Sequence, residues 1–421
     1  MFPPNNKIFA KPQINTRQRQ VKIMKPEHPS ATSWLVLAVT CAFALLILAT
    51  PSAPAQTFSV VHNFTGGSDG GYPMNGFTTN GTALFGTTSS GGTSGLGVVF
   101  KISTTGTETV LHTFTGGADG ASPNAGVIRN KSGYLFGTTT AGGASGVGTV
   151  FEVIGKKESV LYSFAGGKDG AVPDAGLVLD AAGNLYGTTS GGGASGNGTV
   201  FKLAAPATAG GQWTESVLYS FGTGTDGSVP VGGVSLDSAG NLYGTTSTGG
   251  AYGSGTVFQL KPGTPWTENI LHNFQNADDG ATPYAGLIPG KSGVFYGAAT
   301  DGGTGGGGTI FELTPDNGNW TFTVLYSVPG WGISGSFRNL VRDAKGNLYG
   351  TTHCDGGYSA GTVYELTPSS GTWNYTLLYT FTGGSDGLYS FSNLVLNQGH
   401  LYGTTAYGGS QNAGVVFEVI P

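Results

Sequence analysis

The chain is short of charge and nearly devoid of cysteine. Only 10% of its 421 residues are Asp, Glu, Lys or Arg, and it has two cysteines, where an average protein is roughly 25% charged. Cys41 lies in an apolar amino-terminal run, which leaves Cys354 alone in the remainder. That argues against a disulfide framework and a cysteine-built zinc site. No stretch shows the 3.6-residue apolar period of an amphipathic helix. No strict Gly-X-Y period exists, which excludes collagen. No lysine or helix start follows the double glycines, so they are not phosphate loops. What the chain does have is glycine, 77 residues, none of them before residue 56. Each glycine costs a helix roughly 1 kcal/mol relative to alanine, so a helical bundle is excluded as well. The chain is also 38% hydrophobic and 11% aromatic, enough to bury a core and argue against disorder. A tightly turned all-β protein remains.

Residues 1–55 differ in composition from the rest. Lys7, Lys11, Arg17, Arg19, Lys22 and Lys25 precede an apolar run from Trp34 to Ala49, which ends in Ala53-Pro54-Ala55. A basic flank, an apolar stretch and a small-residue site describe a secretory signal peptide cleaved after Ala55, with Met24 a possible true start. The run falls slightly short of the roughly 20 residues that span a bilayer. An uncleaved amino-terminal anchor is the alternative. Taking away the six cations and Glu27 leaves 12 Lys+Arg against 22 Asp+Glu, a net charge of −10. That balance offers no basic footprint for nucleic acid and no polybasic patch for anionic lipid after cleavage. The expected product is secreted or periplasmic, monomeric, and without cofactor, metal, nucleic-acid or membrane partner.

One pattern recurs along 56–421. An aromatic-Gly pair appears at Phe85, Phe136, Tyr186, Tyr243, Tyr296, Tyr349 and Tyr402, at intervals of 51, 50, 57, 53, 53 and 53 residues. In the third unit, turn clusters separate four segments that read as strands: Ser159–Phe164, Gly176–Asp180, Asn184–Thr189 and Gly198–Leu203. We label these types D, A, B and C. Seven units of about 50 residues with four strands each predict a seven-bladed β-propeller. The segment Phe58–Phe64 is a lone D strand ahead of the first complete set, and the chain stops after a C strand. One amino-terminal strand is therefore expected to join three carboxy-terminal ones and close the ring.

These motifs, among them LYGTT, GTVFEL, VLYSF and the GG-x-DG turn, resemble the glycine-rich tandem repeats of the GloVer-repeat family of bacterial exported proteins. The resemblance extends over 58–420. It implies a surface or secreted protein, without an established activity and with a carboxy-terminal anchor in many members. The sequence ends on a repeat strand, which favours a released protein. The strand order also resembles NHL-type propellers, and the blade length kelch repeats, as analogies of fold.

Candidate functional residues lie where the repeat varies or breaks. The GG-x-DG aspartates, such as Asp69, Asp119 and Asp169, read as turn caps rather than calcium ligands, because each unit supplies one carboxylate. The Thr-Thr pair after aromatic-Gly reads as turn composition. His62, His112 and His272 occupy a strand-D site that Tyr fills elsewhere, which marks packing with a polar tip. Trp213, Trp266, Trp320 and Trp373 recur at one strand-D position and read as anchors at the blade exterior. Two residues before the strand-A glycine, or its Asn counterpart, stand Met74, Asn124, Asp174, Val231, Tyr284, Phe337 and Phe391. With Arg338 they form a mixed polar and aromatic ring at one channel mouth, the composition of a ligand site. Asn124, Asp174, Tyr284, Phe337, Arg338 and Phe391 are the proposed contacts. Unit six breaks the pattern twice, at Trp331 and at His353-Cys354-Asp355, a loop worth testing. His353 and Cys354 are a poor catalytic pair, because neighbours on a strand point to opposite faces. The expected function is non-catalytic binding of a carbohydrate, peptide or cell-surface partner. The alternatives are an extracellular polysaccharide hydrolase or lyase, and a structural envelope component.

Overall fold

Asp/Asn-Gly turn chemistry sets the A–B hairpin of most repeats. In Asp180-Ala-Ala-Gly183-Asn184, Gly183 has φ +90°. The Asp180 carboxylate accepts the backbone N–H of Ala182 and of Asn184, each at 2.9 Å. Repeated turns of this kind fold the chain, seen in a computed structural model, into seven four-stranded antiparallel sheets. The structure describes residues 56–208, 210–329 and 340–421. The signal-peptide reading of 1–55 lies outside them, as do Trp331, Phe337 and Arg338. The chain divides into the units Met1–Ala55 and Gln56–Pro421, and every sheet and core cluster belongs to the second. Among the described residues one turn of 3₁₀ helix, Gly167–Asp169, interrupts the β-structure. No helix among them is long and apolar enough to cross a membrane.

The third blade is representative: A is Val178–Leu179, B Leu185–Thr189, C Thr199–Ala204 and D Thr214–Ser220. The A strand is two residues long where five were expected, since only Val178 and Leu179 find ladder partners on B. The residues before them run along the axial channel. Blades 1 to 6 follow this order. The seventh sheet takes A, B and C from Val395–Asn397, His400–Thr405 and Val415–Ile420, and D from Thr57–Asn63 at the other end of the unit. Every C–D pair carries a register shift, as between Val200 and Phe201. A bulge of this kind twists the outer strand and blunts its open edge.

Three layers join neighbouring blades. Near the axis, the first threonine of the Thr-Thr pair reaches the next blade in blades 1, 2, 4, 6 and 7, whereas the buried Thr188 hydroxyl of blade 3 finds no partner among the described residues. Thr87 Oγ1 donates to the Ala125 carbonyl at 2.7 Å, Thr245 to Ala285 at 2.8 Å and Thr351 to Ser392 at 3.2 Å. Thr404 of blade 7 likewise donates to the Pro73 carbonyl at 3.1 Å. The pair is thus a buried strut between blades, which corrects its reading as turn composition. In the middle, at six of the seven junctions, the Phe ending a D strand meets the C-strand Phe of the next blade, edge to face or tilted; between blades 5 and 6 Val328 and Tyr364 take these places. Phe114–Phe151, Phe164–Phe201 and Phe221–Phe258 each have centroids 5.2 Å apart, and all these rings are fully buried. Outside, the tryptophans pack on the preceding blade's aromatic-Gly residue, as Trp213 does on Phe136 and Trp320 on Tyr243. They are half-buried wedges between blades.

The turn aspartates cap as expected. Asp119 accepts the Thr115 N–H at 2.9 Å, Asp226 the Gly222 N–H at 2.7 Å and Asp386 the Thr382 N–H at 2.8 Å. They also hold the polar tips of strand D. Tyr162 donates to Asp169 at 2.7 Å, and His272 Nε2 lies 2.9 Å from Asp279. Among the described residues no group of three or more His, Cys, Asp or Glu could hold a metal ion.

Candidate functional site

The mouth of the channel is built by the turn from each D strand into the next A strand. In six units the residue before the turn proline, or its Ser390 counterpart, has positive φ: Tyr72, Ser122, Val172, Val229, Thr282 and Tyr389. Side chains rarely adopt this conformation, least of all β-branched ones. Hydroxyls from the loop after strand B support it. Ser89 donates to the Tyr72 carbonyl at 2.9 Å, Thr140 to Ser122 at 2.9 Å and Ser247 to Val229 at 3.0 Å. The chain then turns inward, and the variable residue two positions on reaches the axis.

Two contrasting arcs result. The polar arc spans blades 1 to 3. Asp174 accepts the Ser190 hydroxyl at 2.8 Å and the Asn124 amide at 3.4 Å, while Asn75 donates to the Asn124 carbonyl at 3.2 Å. The aromatic arc runs around blades 6, 7 and 1. His353 packs on Phe391 and Tyr389 with centroids 3.9 and 4.3 Å away, and Tyr407 bridges Tyr389 to Tyr72 at 6.0 and 5.0 Å. Tyr284, 39% exposed, lines a recess of about 20 Å³ with Asn75, Gly176 and Asn393. An adjoining volume of about 200 Å³ is lined in part by glycines 76, 126, 176, 232, 233 and 286. The smaller recess has room for about one water molecule.

The structure therefore brings together Asn124 with Asp174, and Phe391 with His353. It sets Tyr284 beside Asn75, which the repeat alignment passed over, as it did Ser190, Tyr72, Tyr389 and Tyr407. A signal for Ser190 was present: it occupies the position of Ser89, Thr140 and Ser247, where His353 stands in unit six. Burial raises the Cys354 thiol pKa, so the thiolate a nucleophile needs is disfavoured. Asp355 sits near enough to Tyr326 and Tyr375 to help push both phenols up, after burial as the main cause. Tyr326 is the strand-D tip that lacks a turn aspartate in its own unit.

Fold and mouth together define a seven-bladed β-propeller of glycine-rich repeats with one rim of variable residues. The chain belongs to the Gloeobacter/Verrucomicrobia repeat family, whose pattern matches residues 49–236 and 232–421. Among solved structures it resembles a candidate 6-phosphogluconolactonase from Bacteroides uniformis. That match has 13% identity and a TM-score of 0.53, over 80% of this chain and 91% of that one. A gluconolactonase from Xanthomonas campestris aligns at 14% identity with a TM-score of 0.42, over 70% and 86%. At such identities the likeness is one of fold alone. None of the curated proteins matches the chain.

Proposed function

We propose that this is an exported, non-catalytic binding propeller whose channel mouth holds a neutral carbohydrate. The observation that carries the reading is the pairing on one rim of a hydrogen-bonded Asn124–Asp174–Ser190 group with an arc of His353, Phe391, Tyr389, Tyr407 and Tyr72. Sugars present hydroxyls at their edges and C–H faces above and below, and such a rim meets both. Asp174 is the one carboxylate among the described variable mouth residues, whereas a glycoside hydrolase needs two.

The unit Gln56–Pro421, screened on a glycan array and titrated calorimetrically with any sugar it retains, tests this. Asp174→Ala is expected to weaken retention by about 10-fold, the effect of losing a hydrogen bond to a charged group. Phe391→Ala is expected to weaken it by a similar factor through lost stacking. Retention that both variants leave untouched, or no retained glycan at all, would remove the mouth as a carbohydrate site.

A further inference from the structure

The blade ends opposite the mouth carry a feature that linear sequence disperses. In blade 2 the A–B turn follows Arg129 and presents Lys131 and Tyr134, while the tight C–D turn presents Ile154, Lys156 and Lys157. The pairings Arg129↔Leu135, Leu135↔Val153 and Val153↔Glu158 place both turns at one end of the sheet. Strand spacing sets the whole group within about 14 Å. All six side chains are exposed, Tyr134 at 36% and Ile154 at 43%. None of the four cations enters an ion pair among the described residues, where every such pair involves histidine.

Local chemistry leaves this charge uncompensated. Blades 3, 4 and 6 cap the same turn with Asp180, Asp237 and Asp343. Blade 2 uses neutral Asn130, which accepts the Tyr134 N–H at 2.9 Å. Glu152 and Glu158 are the carboxyls at this end, and burial raises the pKa of both, Glu158 to about 7 with Asp119 adding to the shift. Lys261, Lys291, Arg342 and Lys345 lie at the same end of other blades. In the loops of the mouth face Lys168 is the one lysine or arginine among the described residues. The GG-x-DG turn aspartates Asp69, Asp119, Asp169, Asp226, Asp279 and Asp386 lie on the mouth side, so the two faces of the disc differ in charge.

We infer that the Arg129–Lys131–Lys156–Lys157 end of blade 2 docks on an anionic phospholipid surface, with Tyr134 and Ile154 entering the headgroup layer. Two adjacent turns project four cations and two apolar or amphipathic side chains from one end of the sheet, an arrangement that suits a planar charged surface. An apolar residue and a tyrosine beside unpaired cations suit an interface that is charged outside and apolar beneath. Docking this way turns the carbohydrate mouth away from the bilayer, although the inference does not depend on the mouth reading.

The test is co-sedimentation of Gln56–Pro421 with phosphatidylcholine vesicles, and with vesicles in which phosphatidylglycerol replaces a third of that lipid. Binding is expected on the anionic vesicles alone and is expected to fall with salt. Each Lys→Ser or Arg→Ser change should lower the partition coefficient about 5-fold, and the four together should abolish binding. Tyr134→Ser with Ile154→Ser is expected to weaken binding while keeping its salt dependence. These are exposed positions in turns and at strand ends, so an unchanged thermal midpoint certifies the fold. Equal sedimentation with both vesicle types would overturn the inference, as would wild-type binding by the fourfold variant. So would capture by soluble dextran sulfate through the same four cations without any vesicle binding.

Discussion

Raising the pH from about 6.5 to about 8 is expected to destabilise the propeller, and replacing Glu108, Glu158, Glu215 and Glu268 by Gln is expected to remove most of that loss. These four begin strand D in blades 1 to 4. Burial, as the main cause, raises each pKa to about 7, and a turn carboxylate of the preceding blade adds to the shift: Asp69, Asp119, Asp169 and Asp226 respectively. Tyr219 opposes part of the shift at Glu268 by donating to it at 3.0 Å. Each carboxyl keeps its proton in the fold at a pH where the unfolded chain has released it. Its stabilisation is therefore complete below about 4.5 and is lost as pH rises through 7. The carboxyls are only half-buried, so each contributes about 1 kcal/mol, less than a fully buried group would. Four together are a large share of a typical stability of roughly 5–15 kcal/mol.

His62, His112 and His272 oppose this trend at lower pH. Their pKa values are lowered by burial against the pull of Asp69, Asp119 and Asp279, so their term is lost as pH falls below about 6.5. Above that pH the histidine term fades and the four glutamates dominate, with Glu152, whose pKa burial also raises, acting in the same direction. Urea unfolding of wild type and the fourfold Gln variant across this range is the measurement. Parallel curves would show that the glutamates titrate normally. Blades 5 to 7 offer the natural control, because Phe322, Tyr375 and Phe58 stand at the glutamate position. They stack on His272, Tyr326 and Tyr379 with centroids 3.7, 4.6 and 3.7 Å apart. Glu268→Phe, placed beside Tyr219, is expected to behave as those blades do.

The blades were legible because their signals are local. The 50-to-57-residue period, Asp-x-x-Gly turns and alternating strands each need only neighbouring residues. Strand B of the third unit ran as expected to within one residue, Asn184–Thr189 against Leu185–Thr189. What the sequence concealed is the set of contacts between blades. The Thr87 strut to Ala125 and the Tyr219–Glu268 bond join residues 38 and 49 positions apart, and no periodicity distinguishes a side chain facing a neighbouring blade from one facing a turn. The mouth was half legible. Variability in the repeat pointed to Asn124, Asp174, Tyr284 and Phe391, whereas Ser190 and Tyr389 sit in positions that read as ordinary turn chemistry. Phe337 and Arg338 lie outside the described residues.

Gly187→Ala is expected to destabilise the propeller by about 1–3 kcal/mol, the usual cost of overpacking a core. Phe201→Ala is expected to cost about 3–5 kcal/mol. The two residues are the halves of one device. Gly187 follows the aromatic of strand B, and a Cβ there would lie 2.7 Å from Cζ of Phe201 and 2.9 Å from Cδ2 of Leu177. Its φ is not in the left-handed region, so the need for glycine here is one of space. The B-strand glycine is a socket for the tip of the C-strand ring, which is paired across to Gly187. Equivalent sockets stand at Gly86 against Phe100 and at Gly137 against Phe151. Phe201 in turn receives the edge of Phe164 from the preceding blade, so loosening one socket also removes an aromatic contact worth about 0.5–1.5 kcal/mol. If the socket explanation holds, shortening the ring should make room for the methyl group. Gly187→Ala in a Phe201→Leu background is then expected to cost less than in the wild type, with a coupling energy of about 1 kcal/mol or more. Equal costs in the two backgrounds, measured by urea unfolding at one pH, would mean that glycine is needed at this position for its backbone and not for the phenyl ring above it.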